Sequence, residues 1–430
     1  MSRHIVLVAA YLALAAAILW HIIQTVIDPS MRWTMIDMQV FREASLSAFA
    51  GNGVYDGGFT SASLPFLYPP FALLALWPIA AIPLLAAKIA MSVINLAALG
   101  VLCWRSAAKT VSRVWIHPLT IACAAVLLVS EPMQQNLQMG QVNAIIAAIA
   151  LLDFTLPDNN RWKGALTGAM AGVKLTPALL AVYYLVSGQR RAALNSGASF
   201  VATIALSWAL FPRNTLDYWT STVFQSRIGP AHLGNQALLG VTDRAAAALG
   251  WNPRLVGFAW VIVVLGVVFG ALRQLRRSRL GDVATFGALS LTILLVSPLS
   301  WTPHWISAAP LLVWAASRRP TIKSAAAVLL AVGLALFAWP VDGVPSGLIW
   351  FVYPGGFAAP DAPWWHSILY WTLGAFYTIG GVIGLIAMCR AARASSRPSS
   401  QDSVPYGQAP QGRSRRPHGR LDHLGAVEST

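Results

Sequence analysis

Asp37 is the first residue in the chain whose type and surroundings could do chemistry. It stands in the mostly apolar stretch MIDMQVF, and Arg42 and Glu43 follow shortly after it. A carboxylate among apolar neighbours is partly desolvated, which raises its pKa toward the range of a general base working near neutral pH. Arg42 would partly oppose that rise. An ordinary solvated loop acid is the alternative, so Asp37 is a candidate base whose partners must come from elsewhere in the chain.

Three further side chains could meet an anionic group such as a phosphate. They are Lys174 in GVKLTP, Arg244 after GNQALLGVTD, and His304 in SPLSWTPHW. Arginine offers a planar fork of donors, whereas lysine acts as a point charge. Each residue also has a structural alternative, because lysine and arginine often anchor a protein at the membrane interface. An isolated histidine is more often a hydrogen-bonded structural residue.

Amides and one phenol could complete such a site. Gln141 and Asn143 begin the apolar run GQVNAIIAAI, Asn235 and Gln236 lie in GNQALLG, and Tyr68 precedes two prolines in LYPPF. Amide groups hydrogen-bond sugars and phosphates without adding a charge to a desolvated site. The alternative of a solvated turn with helix caps fits Gln141 and Asn143 less well, because both begin an apolar run. The alternative for Tyr68 is an interfacial aromatic on a rigid elbow. Together these residues predict a polar site, provided that the fold brings them together.

The elements that must position these residues are membrane helices. Of the 430 residues, 57% are hydrophobic and only 10% are charged, whereas soluble domains carry about 25% charged residues. The mean hydropathy is +0.60. We therefore predict an all-α polytopic membrane protein with about ten crossings of the roughly 30 Å of hydrocarbon. The predicted spans are 5–27, 83–104, 114–131, 142–156, 193–211, 255–272, 283–299, 304–317, 321–339 and 365–389.

The net charge of +15 indicates topology and contact with anionic membrane lipids rather than binding to nucleic acid. Basic residues cluster in short loops, and all of these clusters are cytoplasmic if the N-terminus is cytoplasmic, as the positive-inside rule requires. Residues 393–430 are rich in Ser, Pro, Gly and Arg and predict a disordered cytoplasmic tail after a membrane module of residues 1–392. The predicted outer loops are 28–68, 132–141, 212–254, 300–303 and 340–364, so the candidate residues gather at the outer face.

Two apolar segments, 69–82 and 164–187, do not fit as simple spans. A single span over 164–187 would place Arg190 and Arg191 outside and invert every later basic cluster. A hairpin of two short helices restores the charge rule, with Pro177 starting the second helix. Broken backbone inside a bilayer is tolerated only where it is buried in protein or lines a wet cavity. We therefore expect Lys174, at the hairpin tip, to point into an outward-facing cavity.

Seven short motifs follow one another along the chain: IDMQVFREA, GNGVYD, YPPF, GQVN, GVKLTP, GNQALLG with a later arginine, and SPLSWTPHW. The set resembles the family-87 glycosyltransferases of the C-type (GT-C) membrane fold, over nearly all of residues 1–320. The chain is also similar in length to actinobacterial members that build phosphatidylinositol mannosides and lipomannans. The resemblance implies a GT-C helical bundle, a polyprenyl-phosphate-mannose donor, an α-(1→2) linkage and a periplasm-facing site. The implied acceptor is a mannosylated phospholipid or lipoglycan, such as phosphatidylinositol mannoside, lipomannan or lipoarabinomannan.

The resemblance also implies roles for two residues, Asp37 as the catalytic base and His304 as a contact of the donor phosphate. Family members often carry a second acidic or histidine residue in the turn where this chain has Thr302 and Pro303, so only His304 is transferred. We add Lys174 and Arg244 as candidate phosphate contacts. The candidate substrate contacts are Tyr68, Gln141, Asn143, Asn235 and Gln236.

No D-x-D pair lies near Asp37. We therefore expect catalysis without a metal and without a cofactor, because the lipid-linked sugar is itself a substrate.

Two other functions fit parts of the pattern. A secondary transporter or a flippase of lipid-linked sugars could use Asp37 and Lys174 as coupling groups, but it predicts repeat symmetry and a site near the bilayer midplane. The candidate residues instead cluster toward one face, and no internal repeat is evident. A non-catalytic scaffold would not need this set of acid, lysine, arginine and histidine. The enzyme hypothesis is therefore favoured.

Overall fold

In the computed structural model, which describes residues 3–22, 35–224, 234–317 and 375–396, the chain folds into helices joined by short turns. Two 3-10 helices, Thr222–Phe224 and Thr302–Ala308, and one isolated β-bridge between Phe59 and Leu64 supplement the α-helices of this part of the chain. The α-helices are α1 (Arg3–Ile22), α2 (Ile36–Phe49), α3 (Phe71–Ala75), α4 (Trp77–Ala80), α5 (Leu84–Ala108), α6 (Arg113–Leu128), α7 (Glu131–Met139), α8 (Asn143–Phe154), α9 (Ala165–Val173), α10 (Ala178–Val186), α11 (Arg190–Leu210), α12 (Pro212–Thr220), α13 (Leu238–Leu249), α14 (Pro253–Leu275), α15 (Asp282–Val296), α16 (Ala309–Ala316) and α17 (Phe376–Ser395).

Helices long and apolar enough to cross a membrane confirm the predicted class, and the chain is an integral membrane protein. Within the described residues there are four such helices, α5, α11, α14 and α17. A fifth span results if α6 and α7, which meet at a bend of 69°, are counted as one broken crossing. Three shorter apolar segments, Leu7–Ala16, Asn143–Phe154 and Asp282–Val296, match further predicted spans. The predicted span 304–317 begins as a 3-10 helix and continues as α16.

The total of ten crossings stays a prediction. The predicted span 321–339, the outer loop 340–364, the start of the span 365–389, and the tail from residue 397 onward lie outside the described residues.

Prolines and glycines set many helix boundaries. α7, α12 and α14 each begin with proline in the first two positions, where the missing N–H has no helical partner to lose. α7 and α13 end at Gly140 and Gly250, both with left-handed backbone, the conformation that closes a helix most readily when no Cβ is present. The break between α7 and α8 is therefore encoded locally.

The segment 164–187 forms two short helices, α9 and α10, separated by residues 174–177. α9 and the glycine before it pack so tightly on α11 that a Cβ added to any of three glycines would lie 2.0–2.2 Å from an α11 atom. The close pairs are Gly164 with Ala192, Gly168 with Ser196, and Gly172 with Thr203. Because both members of each pair rise together in number, α9 runs parallel to α11.

α10 joins α11 through residues 187–189 only and packs against it, so α10 runs antiparallel to α11. α9 and α10 therefore run in opposite directions, which confirms the predicted hairpin with Lys174 at its tip.

The start of α9 is fixed by an acid from the preceding helix. The buried carboxylate of Asp153, on α8, accepts hydrogen bonds from the backbone N–H of Gly164 at 3.0 Å and of Thr167 at 3.1 Å. These are N–H groups that a helix start leaves without helical partners. The Thr167 hydroxyl donates to the same carboxylate at 2.6 Å, so the base of the hairpin is held from both the backbone and a side chain.

Two separate apolar cores lie in the described part of the chain. The larger one is formed mainly by α5, α6, α8 and α15 together with α16 and α17. The smaller one joins α2, the segment 54–73 and α12, with Tyr55 and Tyr218 in ring contact at 5.5 Å. Asn214 connects these segments, since its Oδ1 accepts from Val54 N at 2.9 Å and its Nδ2 donates to Asn52 O at 3.1 Å. The described parts of predicted loops 28–68 and 212–254 thus form a packed cap.

Candidate active site

Asp37 is held at the start of α2 by contact between two tight turns. Met35, just before the helix, has a left-handed backbone with φ 58°, and its N–H donates to the Gln138 carbonyl at 2.7 Å. A Cβ added to Gly140 would lie 2.6 Å from the Met38 Cβ. The left-handed φ of Gly140 and this close approach both require glycine. The turn that carries Gln141 therefore lies directly against the turn that carries Asp37.

A continuous set of hydrogen bonds leads from Asp37 to Lys174. Gln141 Nε2 donates to Asp37 Oδ2 at 2.6 Å. Gln141 Oε1 in turn accepts from the Tyr68 hydroxyl at 3.0 Å and from Asn143 Nδ2 at 3.2 Å. Lys174 Nζ donates to Asn143 Oδ1 at 2.7 Å and to the Tyr68 hydroxyl at 3.3 Å. The carboxylate and the ammonium are thus linked through three neutral side chains.

Lys174 also lies 2.9 Å from His304 Nε2. When the lysine is protonated, its ammonium can only donate, so Nε2 is then the acceptor and carries no proton. The same imidazole hydrogen-bonds the backbone of Leu299. Lys174 Nζ lies 5.1 Å from the ring centroid of Tyr68, within cation–π range. With three contacts for its three N–H groups, the ammonium is held in one position, and an arriving anion would replace one of them.

The environment of Asp37 tunes its acidity as the sequence predicted. Burial raises the pKa of its carboxyl to about 6, and the Gln141 hydrogen bond and the Lys174 charge act in the opposite direction. The expected opposition from Arg42 is not among these causes, because the Arg42 guanidinium instead donates to the Ile82 carbonyl at 3.3 Å. At neutral pH Asp37 is therefore mostly a carboxylate, yet basic enough to take a proton.

A cavity of about 50 Å³ opens beside the lysine. Asn143, Lys174 and His304 lie together in its lining, and the rest of the lining includes the hydroxyl residues Thr176, Ser290, Ser300 and Ser307 and the apolar residues Ala147, Ala150, Leu180 and Phe286. The apolar residues come from α8, α10 and α15, so the cavity runs from the hairpin tip into the apolar part of the bundle. A charged group joined to an apolar chain is compatible with this mixed lining.

Three predicted site residues lie around the turn that precedes His304. Asn235 Oδ1 accepts from Ser300 N at 3.0 Å, and Asn235 Nδ2 donates to the Pro298 carbonyl at 2.9 Å. Gln236 pairs its backbone N–H with the Ser300 carbonyl at 2.9 Å. Arg244 is buried and donates to the Asn235 carbonyl at 2.9 Å. The structure therefore assembles six of the nine predicted residues in one network, and the other three brace its histidine-bearing turn.

One buried asparagine near the site was not predicted. Asn95 lies within the apolar span α5, and its Nδ2 donates to the Gln141 carbonyl at 3.0 Å. The available signal was an amide inside an apolar span, since such groups are uncommon in membrane helices and usually functional or hydrogen-bonded.

The described residues contain no cluster of three or more His, Cys, Asp or Glu side chains suited to a metal ion. Metal independence stays a prediction.

A helical membrane bundle that holds a buried carboxylate and a lysine in one hydrogen-bond network, beside a cavity with apolar walls, is compatible with the membrane-embedded transferase that the motifs indicated. The family model of glycosyltransferase family 87 matches residues 66–298, just over half of the sequence. The chain belongs to this family. The matched region includes Tyr68, Gln141, Asn143 and Lys174.

Curated relatives extend the similarity over most of the chain. A "polyprenol-phosphate-mannose-dependent alpha-(1-2)-phosphatidylinositol mannoside mannosyltransferase" of Mycobacterium tuberculosis is 29% identical and covers 80% of this chain and 84% of its own length. The protein of the same name in Mycolicibacterium smegmatis is 28% identical and covers 93% of this chain and 97% of its own length. A Mycobacterium tuberculosis "phosphatidylinositol pentamannoside mannosyltransferase" with the same donor dependence is 29% identical over 74% of this chain. No solved structure matches the chain.

Asp37 and His304 lie outside the family match but inside the longest of these alignments. That alignment leaves 7% of the chain unmatched. The unmatched residues are fewer than the residues before Asp37 and fewer than the residues after His304, so neither residue lies in an unmatched end. Both ends of the network therefore belong to the region shared with that relative.

Proposed function

We propose that this protein is an inverting glycosyltransferase that moves mannose from polyprenyl-phosphate-mannose to a phosphatidylinositol mannoside and forms an α-(1→2) link. The observation that carries the proposal is the network from Asp37 to Lys174, with a base at one end and a cation beside a cavity with apolar walls at the other. Membership of the family and the names of the relatives support the donor, the linkage and the acceptor.

The reaction needs one base and one source of positive charge. The acceptor hydroxyl oxygen attacks the anomeric carbon, its proton passes to Asp37, and the bond from that carbon to the phosphate oxygen breaks. The departing lipid phosphate is already anionic, so positive charge rather than a strong acid is required. Lys174 provides that charge, and His304 holds it in place. One displacement without a covalent intermediate inverts the anomeric centre, so a β-linked donor yields an α-mannoside.

The cavity beside Lys174 is suited to the carrier lipid. The cluster of Asn143, Lys174 and His304 can hold the phosphate, and the apolar lining residues of α8, α10 and α15 can cover the first part of an isoprenoid chain. Burial of apolar surface contributes about 25 cal/mol per Å², so even a short enclosed length of chain would add to donor affinity. Binding in this position would direct the sugar toward the Gln141 and Asp37 end of the network.

We further propose a plasma-membrane location with cytoplasmic termini, about ten crossings, and the site facing the periplasm. The predicted boundary between membrane module and tail moves from residue 392 to the end of α17 at Ser395. The basic loops support this topology through the positive-inside rule. The packed cap of the second core would then lie on the periplasmic side, next to the acceptor. Lipomannan and lipoarabinomannan are further acceptors of the same chemistry. Arg244 stays a proposed contact of the donor phosphate, and Asn235 and Gln236 stay proposed substrate contacts.

Transfer in a reconstituted system tests the proposal. The purified protein in liposomes, supplied with polyprenyl-phosphate-mannose and phosphatidylinositol mannosides, is expected to release free polyprenyl phosphate and to add an α-(1→2)-linked mannose, which NMR of the product identifies. A β-linked product would contradict the inverting mechanism. Movement of the lipid-linked sugar across the bilayer without any transfer would instead support the flippase alternative.

A further inference from the structure

Asn95 is a polar group in a place where a polar group is costly. It lies within the 25-residue apolar helix α5, and its side chain has no exposure to solvent. An amide in such surroundings is strongly disfavoured unless it is hydrogen-bonded. Asn95 Nδ2 donates to the carbonyl of Met91 in its own helix at 3.1 Å and to the carbonyl of Gln141 at 3.0 Å. The second of these bonds reaches out of the helix to the site.

Asn136 holds the same backbone position from another side. It is fully buried on α7, and its Nδ2 donates to Asn95 Oδ1 at 2.6 Å and to the Gln141 carbonyl at 3.3 Å. The backbone carbonyl of Asn136 accepts from the Gln141 N–H at 2.8 Å. Both backbone polar groups of Gln141 are therefore held, although Gln141 lies in the break between two helices.

The position of the Gln141 backbone decides where its side chain points. Its amide donates to Asp37 at 2.6 Å and accepts from Tyr68 and Asn143. Glutamine has many side-chain rotamers, so its amide keeps one position only while its backbone and its own hydrogen bonds are both fixed. A shift of about 1 Å in a positioning group can cost about 10²-fold in rate.

We propose that Asn95 and Asn136 are positioning residues that hold Gln141 so that its amide engages Asp37. The inference rests on the proposed function in one respect, since Asp37 must be the base. Neither asparagine touches the carboxylate, and both act through Gln141.

The other charged and titratable groups near Asp37 have contacts of their own that do not involve Asn95 or Asn136. The two asparagines can therefore affect Asp37 only through Gln141. The charge of Lys174 lowers the pKa of Asp37. The Asp37 carboxylate in turn raises the pKa of Tyr68, which packs against the smaller core. On its own helix, Arg42 is bound to the Ile82 carbonyl, and Glu43 accepts from the Thr60 N–H at 2.8 Å.

On the adjoining α7, Glu131 accepts from Gln135 Nε2 at 2.9 Å. α3 and α4, which also pack on α2, contain no titratable side chain, and His304 reaches Asp37 only through Lys174.

The test is the pH profile of mannosyl transfer in Asn95→Ala and Asn136→Ala, with polyprenyl-phosphate-mannose as donor. If the amide loses its place, a bond that lowers the pKa of Asp37 weakens, so the acidic limb of kcat/KM should move up by at least half a pH unit. We also expect kcat to fall about tenfold, with a smaller change in the KM for donor. Asn136→Ala removes no hydrogen bond through Oδ1, because this oxygen accepts none. The Asn136→Ala variant decides the question if Asn95→Ala does not fold.

Two comparisons make the result specific. In a Gln141→Ala background, Asn95→Ala should add no further shift, because the two residues act through one contact. Asn214→Ala is the matched control, since Asn214 is also a buried asparagine that holds two backbone groups, but in the cap. It should lower thermal stability and leave the acidic limb where it is.

An unmoved limb in folded Asn136→Ala, or an equal shift in Asn214→Ala, would overturn the inference while leaving the proposed function intact. Failure of the proposed function has a different signature, because Asp37→Asn would then still turn over.

Discussion

At the scale of single residues, the site separates two opposite charges instead of pairing them. A direct ion pair between Asp37 and Lys174 would hold the carboxylate in its charged form and make it a weak base. The structure instead places the Gln141 amide, the Tyr68 hydroxyl and Asn143 between them. Asp37 keeps a raised pKa, and Lys174 keeps a charge that can be turned toward an incoming phosphate.

The pH dependence of transfer follows from that environment. Asp37 must be deprotonated to act as a base, and burial raises its pKa to about 6. The value of kcat/KM should therefore reach its maximum above that pH and should fall about tenfold for each pH unit below it. A profile measured from pH 4.5 to 8 with fixed donor and acceptor checks this. A limb near pH 4, the ordinary range of an exposed aspartate, would exclude Asp37 as the titrating base.

Replacement of Lys174 by methionine should produce two effects at once. Loss of the positive charge removes stabilisation of the leaving phosphate, and kcat should fall about 10²–10³-fold. Because the Lys174 charge also lowers the pKa of Asp37, the acidic limb of the remaining activity should move to higher pH. Lys109→Met, at the far end of α5, is the control and should retain normal rates. Unchanged kcat in Lys174→Met would remove the lysine from the mechanism.

All nine candidate site residues were predicted from sequence, because each is a polar residue beside an apolar run, and the structure brings six of them into one network. The other three are Asn235, Gln236 and Arg244, whose contacts brace the turn before His304. Residue type alone does not separate a group that faces a ligand from one that holds a backbone, because both need the same donors. Asn95 was missed because its partner, the Gln141 carbonyl, is 46 positions away in sequence.

At the scale of elements, the hairpin of α9 and α10 decides where Lys174 lies. The charge pattern predicted the hairpin, since a single span would have inverted the later basic loops. Its direction and depth come from packing, which depends on small residues spaced four apart that let helix backbones approach closely. Gly164, Gly168 and Gly172 provide that spacing against α11.

Gly168→Ala should destabilise the hairpin. The added Cβ would lie 2.0 Å from the Ser196 carbonyl oxygen, so the helices must separate, at a cost of about 1–3 kcal/mol. A lower melting temperature in detergent and a loss of transfer are expected. Gly197→Ala, on α11 itself with open space around the new Cβ, is the matched control and should be neutral or slightly stabilising. Equal melting temperatures for both variants would contradict the tight α9–α11 contact.

At the scale of the whole molecule, the site lies where two cores meet. The long apolar helices were predictable, because runs such as Leu84–Ala108 leave few alternatives in a chain of this composition. The cap was not, because its aromatic residues come from distant segments: Tyr55 packs on Tyr218. Turn-rich sequence with Gly and Pro predicts a loop whenever the apolar partners are far away in the chain. Val142, Ile146 and Val173 connect this cap to the bundle.

The central claim is that Asp37 is the base for mannosyl transfer. The most direct measurement is the rate of transfer to phosphatidylinositol mannosides by Asp37→Asn in liposomes, together with donor binding by the same variant. Asp37→Asn should lower kcat by about 10²–10⁴-fold while the protein stays folded and still binds donor. Asp56→Asn, which changes an exposed acid of the cap, should retain full activity. Normal turnover by folded Asp37→Asn would contradict the account.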